Sequence, residues 1–265
     1  MVTGLDRFVA HFRGFEDAYI LIGGAACDLW LGTQELPFRA TKDLDLVLVV
    51  EALTPAFHQR FWAFIADGNY ASLEQSASRP QFYRFREPRS TGYPFMIELL
   101  TRNFLELPPG THLTPIPAEE DVSSLSAILL EEDYYRHVVA SRITVSGVPI
   151  VPARCLIPLK ARAWLDLTGR RQRGDRTVRS DDIRKHRNDV FRLLLALVPT
   201  ERFVLPPALQ HDLQRFLDSF PPAAADWPAI RNAVGPGLPA SATAVARLRA
   251  IFQLAPAGGE SSTPP

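Results

Sequence analysis

Cysteine is scarce. Only Cys27 and Cys155 occur among 265 residues, with no C-x-x-C and no Cys/His ligand spacing. That excludes a disulfide scaffold and a zinc ribbon, and it fits a reducing compartment. Long apolar runs are also missing, and none approaches the roughly 20 residues a membrane helix needs. The opening segment MVTGLDRFVAHFRG lacks a basic stretch followed by an apolar one, so no secretory signal is expected there. Charge is balanced, with 29 Lys/Arg against 29 Asp/Glu, so the chain as a whole demands neither a nucleic-acid nor a membrane partner. The G-x-S-x-G, H-E-x-x-H and G-x-x-x-x-G-K-[ST] patterns are absent, and the six histidines are scattered. These absences leave a soluble, cytoplasmic globular protein as the expectation.

Hydrophobic spacing predicts a helix over 5–15, a short strand over 18–22 that stops at Gly23-Gly24, and a helix over 25–31. The segment LDLVLVV (44–50) is the clearest strand, apolar on both faces and therefore central in a covered sheet. A helix over 55–66 and strands over 81–86 and 95–101 follow, then a Pro/Gly-rich loop at 107–117. Residues 122–151 read as further strands, with a hairpin over 143–150 turning at Ser146-Gly147. Beyond 152 the pattern turns helical, over 155–168, 181–198, 206–219 and 241–254, before a disordered tail at 256–265. The expected fold class is α/β (α+β): residues 1–151 as a mixed sheet covered by helices, and 152–255 as a helical lobe with a cleft between the two.

The first chemical signal is Gly23-Gly24 followed by Thr41-Lys42-Asp43-Leu44-Asp45-Leu46. Alternate residues of a strand share a face, so Asp43 and Asp45 project together at the mouth of the strand. Two such carboxylates repel, and Mg²⁺, which takes carboxylate oxygens together with substrate phosphates, is the natural remedy. The glycine pair ends a strand and opens a helix, where bare backbone and free N–H groups suit phosphate. A plain turn and a solvent-side strand end would account for either motif alone. The second signal is Glu98, which interrupts the apolar Phe95–Leu100 run. An unpaired carboxylate there is costly, so it calls either for the metal held by the two aspartates or for an arginine.

The third signal lies downstream, where ten Lys/Arg stand against four Asp between 159 and 187. Such a stripe is the usual electrostatic footprint for phosphates, and equally an ordinary solvated face. Within it, Lys160 shares a helical face with Leu156, Ala163, Trp164 and Leu167, so its stem is expected to be buried. Asp181 and Asp182 follow Ser180 at a helix start, where acids are favoured in any case.

The segment GGAACDLWLGTQELPFRATKDLDLVLVV resembles the signature of polymerase-beta-like nucleotidyltransferases, and most of all the AbiEii/AbiGii toxin family of type IV toxin–antitoxin pairs. The likeness extends to LIPLKARAWLDL, with Lys160, and to SDDIRKHRNDVFRLL, with Asp182 preferred over Asp181 and Asp189. Two features depart from the family pattern: eighteen residues separate Gly24 from Asp43, and Gly24 stands where many relatives carry serine. The resemblance implies a polymerase-beta-like mixed sheet and an Mg²⁺-dependent enzyme that uses an NTP as donor. Gly23, Gly24 and Thr41 would then lie at the nucleotide. Asp43 and Asp45 would bind the metal, with Glu98 a candidate third ligand. Lys160 would neutralise the triphosphate, and Asp182 would position or deprotonate the attacking hydroxyl.

The expected reaction is transfer of NMP to an acceptor hydroxyl, with the 3′ end of a tRNA, a protein side chain and a small molecule all open as acceptors. A toxin would be accompanied by a cognate antitoxin. A non-catalytic module that keeps the fold and binds a nucleotide or a partner is the alternative from another class, and phosphotransfer is a third.

Overall fold

The computed structural model describes residues 2–72, 83–102, 113–116 and 125–255. The chain divides into two compact units, Met1–Pro152 and Ala153–Pro265.

The first unit is built on a mixed α/β plan. Its elements are α1 (Leu5–His11), β1 (Tyr19–Ile22), α2 (Gly23–Gly32), β2 (Asp43–Leu48), α3 (Pro55–Gly68), β3 (Ala71–Ser72), β4 (Arg84–Arg86), β5 (Met96–Arg102), β6 (Leu113–Ile116), β7 (Leu125–Leu130), α4 (Glu132–Ala140), β8 (Ile143–Val145) and β9 (Val148–Ile150). Among the described residues these strands form one sheet, in the order β3-β4-β5-β2-β1-β9-β8. β2 is central: it runs antiparallel to β1 and parallel to β5. Past the stretch shared with β4, the far end of β5 pairs in parallel with β7, which β6 joins antiparallel.

The sheet has two unlike faces around β2, β4 and β5. Leu44, Leu46, Ile97, Leu99 and Phe85 alternate onto one face and are all fully buried. Phe85 meets Phe61 and Trp62 of α3 at ring-centroid distances of 5.5 and 5.8 Å, so α3 covers this face. Phe8, Phe12, Tyr19, Phe57 and Phe64 complete the aromatic core there, each a large apolar body worth about 1.5–3 kcal/mol on burial. α3 is well specified locally: Thr54 caps it by accepting from Phe57 N–H at 3.2 Å, Pro55 opens it, and Asn69 closes it in the left-handed region.

The expected strands over 122–151 are interrupted. Residues 132–140 form α4, which buries Tyr134, Tyr135 and Val138 on one side. Tyr and Val favour strands, but Glu132 and Asp133 suit a helical first turn, and burial of the tyrosines at helical spacing outweighs strand propensity. Tyr135 also ties down the end of β2. Its hydroxyl accepts from Val50 N–H at 3.0 Å and donates to Glu51 Oε2 at 3.1 Å. Burial pushes that hydroxyl's pKa up to about 12. The hairpin at 143–150 is present, with Ser146 and Gly147 both at positive φ, as a two-residue turn with that twist requires. Within the expected 107–117 loop, residues 113–116 are β6; the rest of that loop, residues 81, 82 and 122–124, and the tail at 256–265 lie outside the described residues.

The second unit is helical: α5 (Ala153–Gln172), α6 (Ser180–Leu194), α7 (Pro207–Asp218), α8 (Trp227–Val234) and α9 (Ser241–Ile251). α8 is an addition to the expected helices; it is short and opens with Pro228 in its first turn. Trp164, Phe191, Phe216, Phe220 and Trp227 form its aromatic centre, for example with Phe191 and Trp227 rings 4.8 Å apart at 82°. No helix among the described residues is long and apolar enough to cross a membrane.

Candidate functional site

The face of the sheet opposite α3 carries the charged residues. β2 presents Asp43 and Asp45 there, β5 presents Met96 and Glu98, and β4 presents Arg84 and Arg86, all partly exposed and alternating with the buried apolar set. Register places them in two rows. One row runs Ile22, Asp45, Glu98, Arg84 across four strands. The next runs Asp43, Met96, Arg86.

Asp45 and Glu98 stand opposite each other on neighbouring strands, an arrangement of like charges that is unfavourable unless offset. Arg84 supplies the offset through an ion pair in which its Nε donates to Glu98 Oε1. Of the two partners left open for Glu98, the structure shows the arginine. The reason is strand order: β4 lies against the edge of β5, so Arg84 faces Glu98 at hydrogen-bonding range. Among the described residues no three His, Cys, Asp or Glu side chains gather closely enough to hold a metal ion.

Asp43 is different. Its Oδ1 is buried and accepts no hydrogen bond, although buried carboxylate oxygens ordinarily find donors. Beside it, the glycine pair is explained by close approach. Gly23 has φ +66°, and a Cβ there would lie 1.7 Å from Asp45 Oδ2. A Cβ on Gly24 would lie 2.6 Å from Thr41 Oγ1. A side chain at either position would force Asp45 or Thr41 to shift, so Gly23, Gly24, Thr41 and Asp45 belong to one packed spot. The N-terminus of α2 begins there with no side-chain cap, leaving its first N–H groups for another acceptor.

These residues suit a divalent cation such as Mg²⁺. The donors are hard oxygens, one of them is orphaned, and Mg²⁺ usually takes only one or two protein carboxylates with the remainder from water and phosphate. Asp43 and Asp45 would hold it, with Glu98 occupied by Arg84.

In the helical unit the sequence-based pairing is corrected. Lys160 is buried, as its helical face predicts, but it meets Asp189 rather than Asp182. The Lys160 Nζ–Asp189 Oδ2 distance is 3.4 Å, and Arg192 Nη1 donates to Asp189 Oδ1 at 2.9 Å. Asp189 is fully buried. Asp182 lies half-buried on the first turn of α6, 3.1 Å from Lys185 Nζ, and Asp181 pairs with Arg184. α5 and α6 pack side by side so that Lys160 reaches the third turn of α6, not its first.

Sequence reasoning passed over Arg84 and Arg86. Their signal was the i, i+2 spacing in YRFR, but what they face is decided by strand order. Comparison with protein-family models, with curated proteins and with solved structures finds no match for the chain.

Proposed function

We propose that this protein is a Mg²⁺-dependent nucleotidyltransferase that transfers NMP from an NTP to an acceptor hydroxyl and releases pyrophosphate. One observation carries this function: Asp43, with a buried and unpartnered Oδ1, stands beside Asp45, Thr41 and the tightly packed Gly23-Gly24 turn. An orphaned carboxylate oxygen next to an uncapped helix start suits a ligand that brings a cation and phosphates together.

In this reaction the acceptor hydroxyl oxygen bonds to the α-phosphorus and its proton passes to water, while the bond to the bridging oxygen breaks and pyrophosphate leaves with that electron pair. The metal, when bound, supplies alignment of the α-phosphate and offsets charge on its oxygens. Asp43 and Asp45 hold that cation. The N–H groups at the start of α2 and the Thr41 hydroxyl are donors for phosphate oxygens. Arg84 keeps Glu98 paired and so limits repulsion against Asp45. Lys160 is committed to Asp189 and Asp182 to Lys185, and neither is given a role in this step.

The acceptor is left open among the 3′ end of a tRNA, a protein side chain and a small molecule. The basic stripe over 159–187 would suit the first, although Arg162, Arg170, Arg184, Lys185 and Arg187 within it are already paired with aspartates. A cognate antitoxin is the expected partner. The pairing of Glu98 with Arg84 is equally compatible with one alternative, a non-catalytic nucleotide- or partner-binding module. The deciding experiment incubates the protein with each NTP labelled with ³²P at the α- or, in parallel, the γ-phosphate, Mg²⁺ and total tRNA, beside Asp43→Ala/Asp45→Ala. Transfer of α-label by wild type alone is the expected result. Label on RNA would make RNA the acceptor, and label on protein a side chain. No label together with Mg²⁺-dependent NTP binding would favour the binding module, and label from the γ- but not the α-phosphate would indicate phosphotransfer.

A further inference from the structure

The row Asp43–Met96–Arg86 has an unsatisfied group at each end. At β2 stands an acceptor, Asp43 Oδ1, buried with no donor. At β4 stands a donor, Arg86 Nε, buried with no acceptor. No acidic side chain pairs with Arg86 among the described residues. In the neighbouring row the same two strands carry Asp45 and Arg84, and there Glu98 lies between them and pairs with Arg84. Met96 replaces that acid in the first row, so nothing from β5 neutralises Arg86.

Two strand spacings separate the ends of the row, about 9–10 Å. An orphaned acid asks for a cation and an orphaned guanidinium asks for an anion, each at a cost if left alone. A metal–polyphosphate is one ligand that offers both at that separation, and guanidinium is the side chain best matched to phosphate oxygens.

We propose that Arg86 is the phosphate-tail contact of this site: it takes the oxygens of the NTP β- and γ-phosphates while Asp43 and Asp45 hold the cation. This rests on the nucleotide reading of the site above. Arg84, committed to Glu98, is the supporting cation of the pair and not the primary contact.

The test is calorimetric titration of the full chain with Mg²⁺–ATP, GTP, CTP and UTP, with the corresponding monophosphates, and with Mg²⁺–tripolyphosphate. Wild type is compared with Arg86→Gln, Arg86→Lys and, as a surface control, Arg136→Gln. Arg86→Gln is expected to weaken triphosphate and tripolyphosphate binding by about tenfold or more, in line with a charge-assisted contact. It should leave the monophosphate within about threefold, and Arg86→Lys should fall between. Should Arg86→Gln fail to fold, Arg86→Lys carries the comparison, because it keeps the charge and loses only the fork. Equal weakening of mono- and triphosphate, or no weakening of either, overturns the role of Arg86 while leaving the nucleotide site standing. Absence of any Mg²⁺-dependent binding by wild type overturns the nucleotide site itself and this contact with it.

Discussion

Two charged clusters in this protein contain the same chemical types and are arranged in opposite ways. In the helical unit, Lys160 and Asp189 are buried together, and Arg192 fills a remaining position on the carboxylate. In the sheet unit, Asp43 is left with an unpartnered oxygen, in company with a second aspartate. The first cluster is self-sufficient, since removal of either partner would expose a buried charge but the intact set needs nothing further. The second is incomplete as protein alone. Buried groups that the fold does not satisfy are where a ligand has something to gain. The functional candidate is therefore the sheet cluster, even though the helical cluster is the more deeply buried.

The largest expected effect is catalytic. Asp43→Ala/Asp45→Ala should lower NMP transfer by about a thousandfold or more, several kcal/mol of transition-state stabilisation. Asp43→Ala alone, which removes the carboxylate with the unpartnered oxygen, should unfold at no lower temperature than wild type. A large drop in melting temperature would make Asp43 structural and erase the contrast. For the helical cluster the expectation is reversed. Lys160→Met should destabilise by about 1.5–3 kcal/mol in urea titration, by leaving the buried Asp189 to Arg192 with one charged partner fewer. Lys160→Met/Asp189→Leu should recover most of that loss; a double variant as unstable as the single one would show that the pair is needed beyond charge balance.

Gly23→Ala probes the packing of the sheet cluster. The residue sits at φ +66°, and its added methyl would collide with Asp45 Oδ2. A cost of about 1–3 kcal/mol is expected, with loss of Mg²⁺-dependent nucleotide binding as Asp45 is displaced. Retained affinity would detach the glycine turn from the site.

The smallest effect is in pH dependence and lies away from both clusters. His58 is 3% exposed with an unpartnered Nε2, and burial lowers its pKa from the ordinary value. The unfolded chain therefore binds the proton more readily. Stability contributed by neutral His58 is complete above the unfolded pKa of about 6.5 and is lost as pH falls below it. Urea midpoints at pH 7.5 and 5.5 should differ less for His58→Gln than for wild type. An unchanged difference would place the acid sensitivity elsewhere.

Much of the architecture was legible because it is written locally. The alternation of Asp43-Leu44-Asp45-Leu46 sets acids on one face and leucines on the other whatever the neighbouring strands are. The burial of Lys160 follows from its helical face, and the hairpin follows from Ser146-Gly147. α4 was hidden by residues whose strand propensity misleads until the buried pair Tyr134 and Tyr135 is seen in place. The glycine pair was read for its bare backbone and the N–H groups of a helix start, whereas its close approach to Asp45 and Thr41 is a tertiary fact.

Partner choice was a different matter, since it depends on contacts between segments far apart in the chain. Glu98 could have met a metal or any of many arginines, and only the position of β4 beside β5 selects Arg84. Lys160 had three candidate acids within a short stretch, and the packing of α5 on α6 selects Asp189. Periodicity within one segment decides which side chains face together, because backbone geometry repeats along it. Which of them are satisfied and which are left wanting is decided by register and helix crossing, and these exist only once the chain has folded.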